Sequence, residues 1–439
     1  MHRPAVILGL AVLLVGGGSL ASASPQATPP RFVVAGDAYV SAGAPGKNFG
    51  RARVLRVGRR PLSRAYLRFD LRKVSGVTIS KATLRLNSLS SRGRFGIQLA
   101  GSRWNERKIT LRNAPRPGRR IIWPVGARRG LLSIDVTNAV KAGKQVTFVL
   151  EAPKGSIHFG SRESASPPRL DLEYSATLLA AGDIAYCGQP FDEATASVIK
   201  NTPGTVAALG DLAYETGSAA EFASCYQPSW GAFKARTRPA PGNHEYETAG
   251  ASGYFGYWGA RAGNPAQGWY SYDLGAWHIV SLNSNCSFVG GCFAGSPQES
   301  WLRADLVAHP AACTLAYWHH PLFSARLGTD EPDMKPIWQA LYDANADLVL
   351  VGHAHDYQRF AAQTADGVAD PARGIREFVV GTGGNPTLHK IDSVELNVEV
   401  TNDTTWGVLK LTLRNSGYDW QFIRAAGGSF TDSGSQACH

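Results

Sequence analysis

Asp347-Leu348-Val349-Leu350-Val351-Gly352-His353-Ala354-His355 reads as a buried strand that stops at a turn glycine and hands the chain to two histidines. After its aspartate the run is wholly apolar, the pattern of a strand covered on both faces in a parallel sheet. Two residues apart in an extended segment, side chains leave on opposite sides of the backbone. His353 and His355 are therefore expected to reach different ions of a close metal pair. Their place just past the C-terminal end of a strand is where open α/β sheets hold their ligands. Taken alone, the same pattern also fits two buried, hydrogen-bonded structural histidines.

Four further apolar runs end in residues that bind metals. Leu178–Ala181 runs into Gly182-Asp183, and Val206–Leu209 into Gly210-Asp211-Leu212-Ala213-Tyr214. Arg238–Pro241 leads into Gly242-Asn243-His244-Glu245, and Leu315–Trp318 into His319-His320-Pro321. A single Gly-Asp is usually a turn, but the ordered set resembles the calcineurin-like metallophosphoesterases, and within them the purple acid phosphatases. The resemblance covers Leu178 to the C-terminus.

That resemblance implies a two-metal centre, which needs a bridging carboxylate, hard oxygen ligands on one ion and imidazoles to fix both. Asp211 takes the bridging role. Asp183, Tyr214 and His355 complete the first site; Asn243, His319 and His353 complete the second, with His319 preferred over His320 on the family's His-x-Pro spacing. Ile184 and Ala185 follow Asp183, so the wider superfamily's Asp-x-His motif is missing its histidine. Tyr214 stands in for it, as a hard anionic ligand suited to Fe(III), with Fe(II), Zn or Mn at the second site. Ala185 replaces a usual glycine, with little effect expected. The resemblance further implies attack on phosphorus by hydroxide formed at the metals, and a visible colour from tyrosinate bound to Fe(III). His244 is the candidate for binding phosphate or protonating the leaving group; His320 and Arg326 are further candidates for substrate binding. His278 and His309 are expected to be structural or exposed.

The chain has 439 residues, enough for two or three domains. Residues 1–23 read as an export signal: a basic head at His2 and Arg3, an apolar run from Ala5 to Val15, and a cleavage site at Ala21-Ser22-Ala23. No later stretch is long enough to span a bilayer, so a secreted protein, extracellular or associated with the cell wall, is expected. Six cysteines in an exported chain point to disulfides rather than thiolate ligands. They allow fifteen pairings. Cys286–Cys292 is favoured because it closes a short glycine-rich loop; the other four allow three pairings, of which Cys187–Cys225 with Cys313–Cys438 is the one expected.

Charge divides the chain. Residues 31–175 hold 29 basic and 8 acidic side chains, a net of +21, whereas 176–439 hold 15 and 26, a net of −11. A basic module joined to an acidic one suggests an anionic cell-surface or extracellular polymer as partner of the first.

Within 31–175 many short alternating runs, such as Ala65–Leu71, are separated by Gly, Pro, Asn and Ser clusters, the pattern of an all-β jelly-roll-like sandwich. Strands are expected near 38–40, 54–57, 64–71, 81–86, 131–136, 145–150 and 170–174. The segments Asp37–Val40, Tyr66–Asp70, Asn113–Pro115 and Ser161–Glu163 with Pro167–Leu170 resemble the DNRLRE-type modules of secreted bacterial proteins, which implies carbohydrate or surface binding. From 176 to 439, strands alternate with helices expected over 192–200, 300–308 and 335–344, and a hairpin turns at Arg414–Gly417. This order fits the α/β/β/α sandwich of the metallophosphoesterases. The reading reached is a secreted phosphomonoesterase with a β-sandwich targeting module. A phosphodiesterase on the same scaffold and a non-catalytic surface-binding protein are the alternatives.

Overall fold

The computed structural model describes residues 30–439, so the export-signal reading of 1–23 lies outside them. Ten strands lie between Arg31 and Gly160, with no α-helix among them. Ala65, Leu67 and Phe69 of the strand Leu62–Asp70 enter the core while Arg64 and Arg68 stay partly exposed, as the period-2 alternation requires. Leu84, Phe148, Leu150, Phe159 and Leu172, from strands on either side, fill the same core. The strand Ser156–Gly160 pairs along Val54–Arg59 but meets Thr78–Ser88 only at Phe159, so it links the two groups of strands at a corner.

Four strands were not expected: Arg31–Val33, Arg94–Ala100, Arg120–Gly126 and Ser156–Gly160. Arg120–Gly126 contains Pro124, which argues against a strand in a sheet interior. It lies instead at a sheet edge, pairing only with Arg94–Ala100, where a missing N–H disrupts little.

The strand Arg169–Ala181 passes through the expected boundary at 175/176 without a break. Residues 169–175 pair with Thr78–Ser88; residues 175–180 pair with Gly407–Arg414, and 178–181 run parallel to Thr205–Leu209. One strand thus changes neighbours where a linker would otherwise sit. Asn415 Nδ2, in the hairpin turn after Gly407–Arg414, donates to the Leu172 carbonyl at 3.0 Å and adds a tie across the joint.

Beyond the joint, two sheets lie face to face. Leu178, Leu409 and Leu411 of one pack with Leu315, Leu348, Leu350 and Phe378 of the other. Val349 and Val351 point the opposite way, into a second core with Leu302, Ile337, Trp338 and Leu341 of the helices Pro297–Ala308 and Lys335–Asp343. The strand Leu348–Val351 is therefore buried on both faces, and it runs parallel to both Cys313–Tyr317 and Arg376–Val380. Helix Phe191–Asn201 covers the first sheet through Ala196 and Ile199. The domain is thus an α/β/β/α sandwich. Helix Pro297–Ala308 starts where its sequence says: the Ser296 hydroxyl accepts the Glu299 amide, and Pro297 occupies the first turn. Cysteines pair as Cys187–Cys225, Cys286–Cys292 and Cys313–Cys438, and none among the described residues is free.

Candidate metal centre

Five strand ends deliver the candidate ligands to one place. Tyr214 Oη lies 3.0 Å from Asp183 Oδ1, 3.1 Å from Asp211 Oδ2 and 3.1 Å from His355 Nε2. Beside it, His319 Nε2 lies 3.2 Å from Asp211 Oδ2, 3.1 Å from Asn243 Oδ1 and 3.2 Å from His353 Nδ1. Asp211 is the residue common to both groups. It is His319, not His320, whose ring nitrogen meets Asp211 and Asn243; His320 Nδ1 bonds the Ser284 hydroxyl at 2.8 Å and its ring packs on His353.

The histidine pair reaches two clusters, but not by strand alternation. His353 and His355 lie beyond the end of their strand, in a turn, with φ of 72° and 54°. Asp183 and Asp211 also have left-handed backbones, at 59° and 51°. Each such residue costs on the order of 1–2 kcal/mol relative to ordinary backbone. The neighbouring bonds hold them there. The His353 amide donates to Asp183 Oδ2 at 2.8 Å, and the Asp183 amide to the Gly210 carbonyl. Glycines provide the room: a Cβ on Gly242 would lie 2.1 Å from Asp211 Oδ1, and one on Gly352 2.7 Å from Asp183 Oδ2.

Orientation comes from the outer nitrogens. His319 Nδ1 is held by the Leu209 carbonyl at 2.8 Å and His355 Nδ1 by that of Thr387 at 3.2 Å, which leaves Nε2 of each facing the cluster. His244 Nδ1 is 2.5 Å from the Glu215 carbonyl, and its Nε2 lies 3.9 Å from Asp211 Oδ2. Arg326 Nη1 donates to the Ala354 carbonyl at 3.0 Å, between the two histidines of the turn.

The electrostatics fit a cation. Asp183 and Asp211 are fully buried, and their ion-pair partners are histidines rather than Lys or Arg. Burial alone would raise Asp211, but the imidazoles of His319, His244 and His353 hold it well below the usual carboxylate range. Burial would lower His319, yet Asp211 overrides it and raises the imidazole to about 9. Burial, then the Asp183 and Asp211 carboxylates, push the Tyr214 phenol far up. Without a metal, the proton on His319 offsets part of this charge and the Tyr214 phenol keeps its proton and stays neutral. A multivalent cation would take the place of both protons.

Residues 176–357 match the model of the calcineurin-like phosphoesterase family. The chain carries a calcineurin-like phosphoesterase domain. Residues 29–174 match carbohydrate-binding module family 96, a match that does not name the DNRLRE type. Among curated proteins, purple acid phosphatase 15 of Arabidopsis thaliana is 26% identical over 265 residues, covering 52% of this chain and 48% of its own. Purple acid phosphatase 21 of the same plant is 30% identical over 200 residues, 40% of this chain and 43% of its own. The chain spans about half the length of the curated relatives it matches. Among solved structures, purple acid phosphatase PPD1 from yellow lupin aligns at TM-score 0.47 and 16% identity, over 85% of this chain and 72% of its own.

Two residues of the phosphoesterase domain escaped the sequence reading. Glu245 is wholly buried and accepts from the amides of Asp211, Leu212 and Gly242 at 3.0, 2.8 and 2.7 Å, clamping two motif loops together. Burial and the Asp211 charge raise it to about 7. It stands three residues after Gly242 and caps that amide, but a glycine has no side chain to complete a capping box, so no sequence signal marked it. His389 stacks on His355 with ring centres 4.6 Å apart, and its amide donates to the His355 carbonyl at 2.9 Å. No local motif surrounds it. His278 and His309 lie apart from the centre, against Asp305.

Proposed function

We propose that the chain is a binuclear metallophosphoesterase that hydrolyses phosphate monoesters. The observation that carries this is the convergence of Asp183, Asp211, Tyr214, Asn243, His319, His353 and His355 into two adjoining buried clusters that share Asp211. Asp183, Asp211, Tyr214 and His355 would hold Fe(III), and Asp211, Asn243, His319 and His353 would hold Fe(II), Zn or Mn. When bound, the ions supply Lewis-acid charge to the phosphate oxygens and activate water at neutral pH. His244 acts from the rim. The Glu215 carbonyl fixes its Nδ1–H, so Nε2 is the atom that delivers a proton to the leaving oxygen. His320 and Arg326 bind non-bridging oxygens. The charge of the centre and the ring of imidazoles around it favour a dianionic monoester over a diester.

The test is turnover of p-nitrophenyl phosphate against bis(p-nitrophenyl) phosphate, with metal content measured on the same sample. Faster diester hydrolysis would favour the phosphodiesterase reading. No turnover of either by metal-loaded protein would leave a surface-binding protein. His244→Ala is expected to keep its metals and to slow alkyl phosphates about 10²–10³-fold, but p-nitrophenyl phosphate much less, since a good leaving group needs little protonation. An equal loss for both esters would remove the acid role.

The module spanning 31–175 is proposed to bind an anionic polysaccharide, joining the carbohydrate-binding family match to its net charge of +21. Full-length protein should sediment with such a polymer at low salt and be released as ionic strength rises. Retention that ignores salt, or that favours neutral glycans, would point to recognition of the sugar itself. Secretion is proposed from three disulfides, which need an oxidising compartment. Among the described residues no helix is long and apolar enough to cross a membrane.

A further inference from the structure

On the far edge of the second sheet a short hairpin and a helix end bring two histidines and two aspartates together. The strands Tyr270–Leu274 and Trp277–Ser281 are joined by Gly275-Ala276, and their register sets Asp273 directly opposite His278. Asp305 and His309 are four residues apart at the end of helix Pro297–Ala308, so they share one face. His278 is 1% exposed and Asp305 7%, while His309 is 48% exposed.

We propose that His278, Asp305 and His309 form a third metal site, taking a divalent transition ion such as zinc and separate from the phosphoesterase centre. His278 Nε2 lies 2.8 Å from Asp305 Oδ2. His309 Nδ1 lies 3.0 Å from Asp305 Oδ1 and donates to the Asp305 carbonyl at 3.0 Å, which leaves Nε2 as its ligand nitrogen. One ligand atom from each of the three residues falls within 4.8 Å of the others, the span that a single ion bridges. The outer contacts have the form expected around a metal. His278 Nδ1 faces Asp273 Oδ1 at 3.0 Å, a carboxylate–histidine pairing that turns Nε2 inward as the ligand. The Ser271 hydroxyl donates to Asp305 Oδ1 at 2.9 Å and orients that carboxylate.

No Lys or Arg pairs with Asp273 or Asp305 among the described residues; their charged partners are these histidines. Two imidazoles and one carboxylate suit zinc and its first-row neighbours better than Mg or Ca. The exposed side of His309 leaves an open position for water. Asp273 and His309 also line a cavity of about 340 Å³ with Pro30, Tyr174 and Asn415 at the joint between module and domain. An ion here would pin the end of a helix to the edge of a sheet beside that joint.

Metal content of full-length protein, produced with zinc and dialysed against a weak chelator, tests this. Wild type should carry one more equivalent of divalent ion than His309→Ala or His278→Gln, with turnover of p-nitrophenyl phosphate unchanged in His309→Ala. Asp211→Asn, stripped of its phosphoesterase ions, should still bind one Co(II) with visible d–d bands, and the double variant with His309→Ala should bind none. Equal metal in wild type and His309→Ala would overturn the site and leave a charge-paired structural histidine. Metal lost together with turnover would overturn it too, by assigning the ion to the phosphoesterase centre.

Discussion

Asp211→Asn is expected to lower kcat by at least about 10³-fold and to empty both positions of the phosphoesterase centre. The substitution is nearly isosteric, and Oδ1 can still accept the His244 amide, which it does now at 3.0 Å. The change falls on the other atom. Oδ2 faces Tyr214 Oη at 3.1 Å and His319 Nε2 at 3.2 Å, where the two clusters meet. An amide there removes a negative charge and would point N–H groups at the two proposed cations. Metal analysis and circular dichroism on one sample separate this from misfolding. A folded variant with full metal and near-normal rates would show that Asp211 is not the bridge.

Tyr214→Phe is expected to abolish the visible absorption of iron-loaded protein and to weaken binding of trivalent iron about tenfold or more. Tyr214 is buried, and its ring packs against His244 at 4.6 Å, so phenylalanine keeps the packing and removes only the oxygen. That oxygen stands 3.0 Å from Asp183 and 3.1 Å from His355, among the residues proposed to hold the first ion. Colour that survives in the variant would assign it to another tyrosine or to stray iron. A colourless wild type, fully active with zinc or manganese, would mean that the tyrosine is kept without the iron.

Much of this was legible because the chemistry sits at strand ends. Apolar runs of four or five residues fix where a parallel strand stops, and a ligand-type residue stands just past each stop. The alternation in Ala65–Leu71 and the cap at Ser296-Pro297 were local in the same way. The hidden part depends on contacts distant in sequence. Glu245 acquires its role from amides 33 and 34 residues away, and His389 from a ring on another loop. The expected route of His353 and His355 to different clusters also failed in its detail. Sequence periodicity describes strands, whereas these residues adopt left-handed turns that only bonds such as His353 N–H to Asp183 can hold. Likewise Asp305 and His309 show their helical spacing, but nothing local places His278 against them.

The unbroken strand Arg169–Ala181 makes the joint a stiff beam rather than a tether. A flexible linker would let the module sweep a volume, and the local concentration of anything it held would fall with linker length. Here the two halves share backbone hydrogen bonds through one strand, so the module stands at a fixed reach and bearing from the metal centre. If the module anchors a polymer as proposed, such a joint would act as a ruler, fixing how far from the anchoring point the phosphoesterase centre can reach.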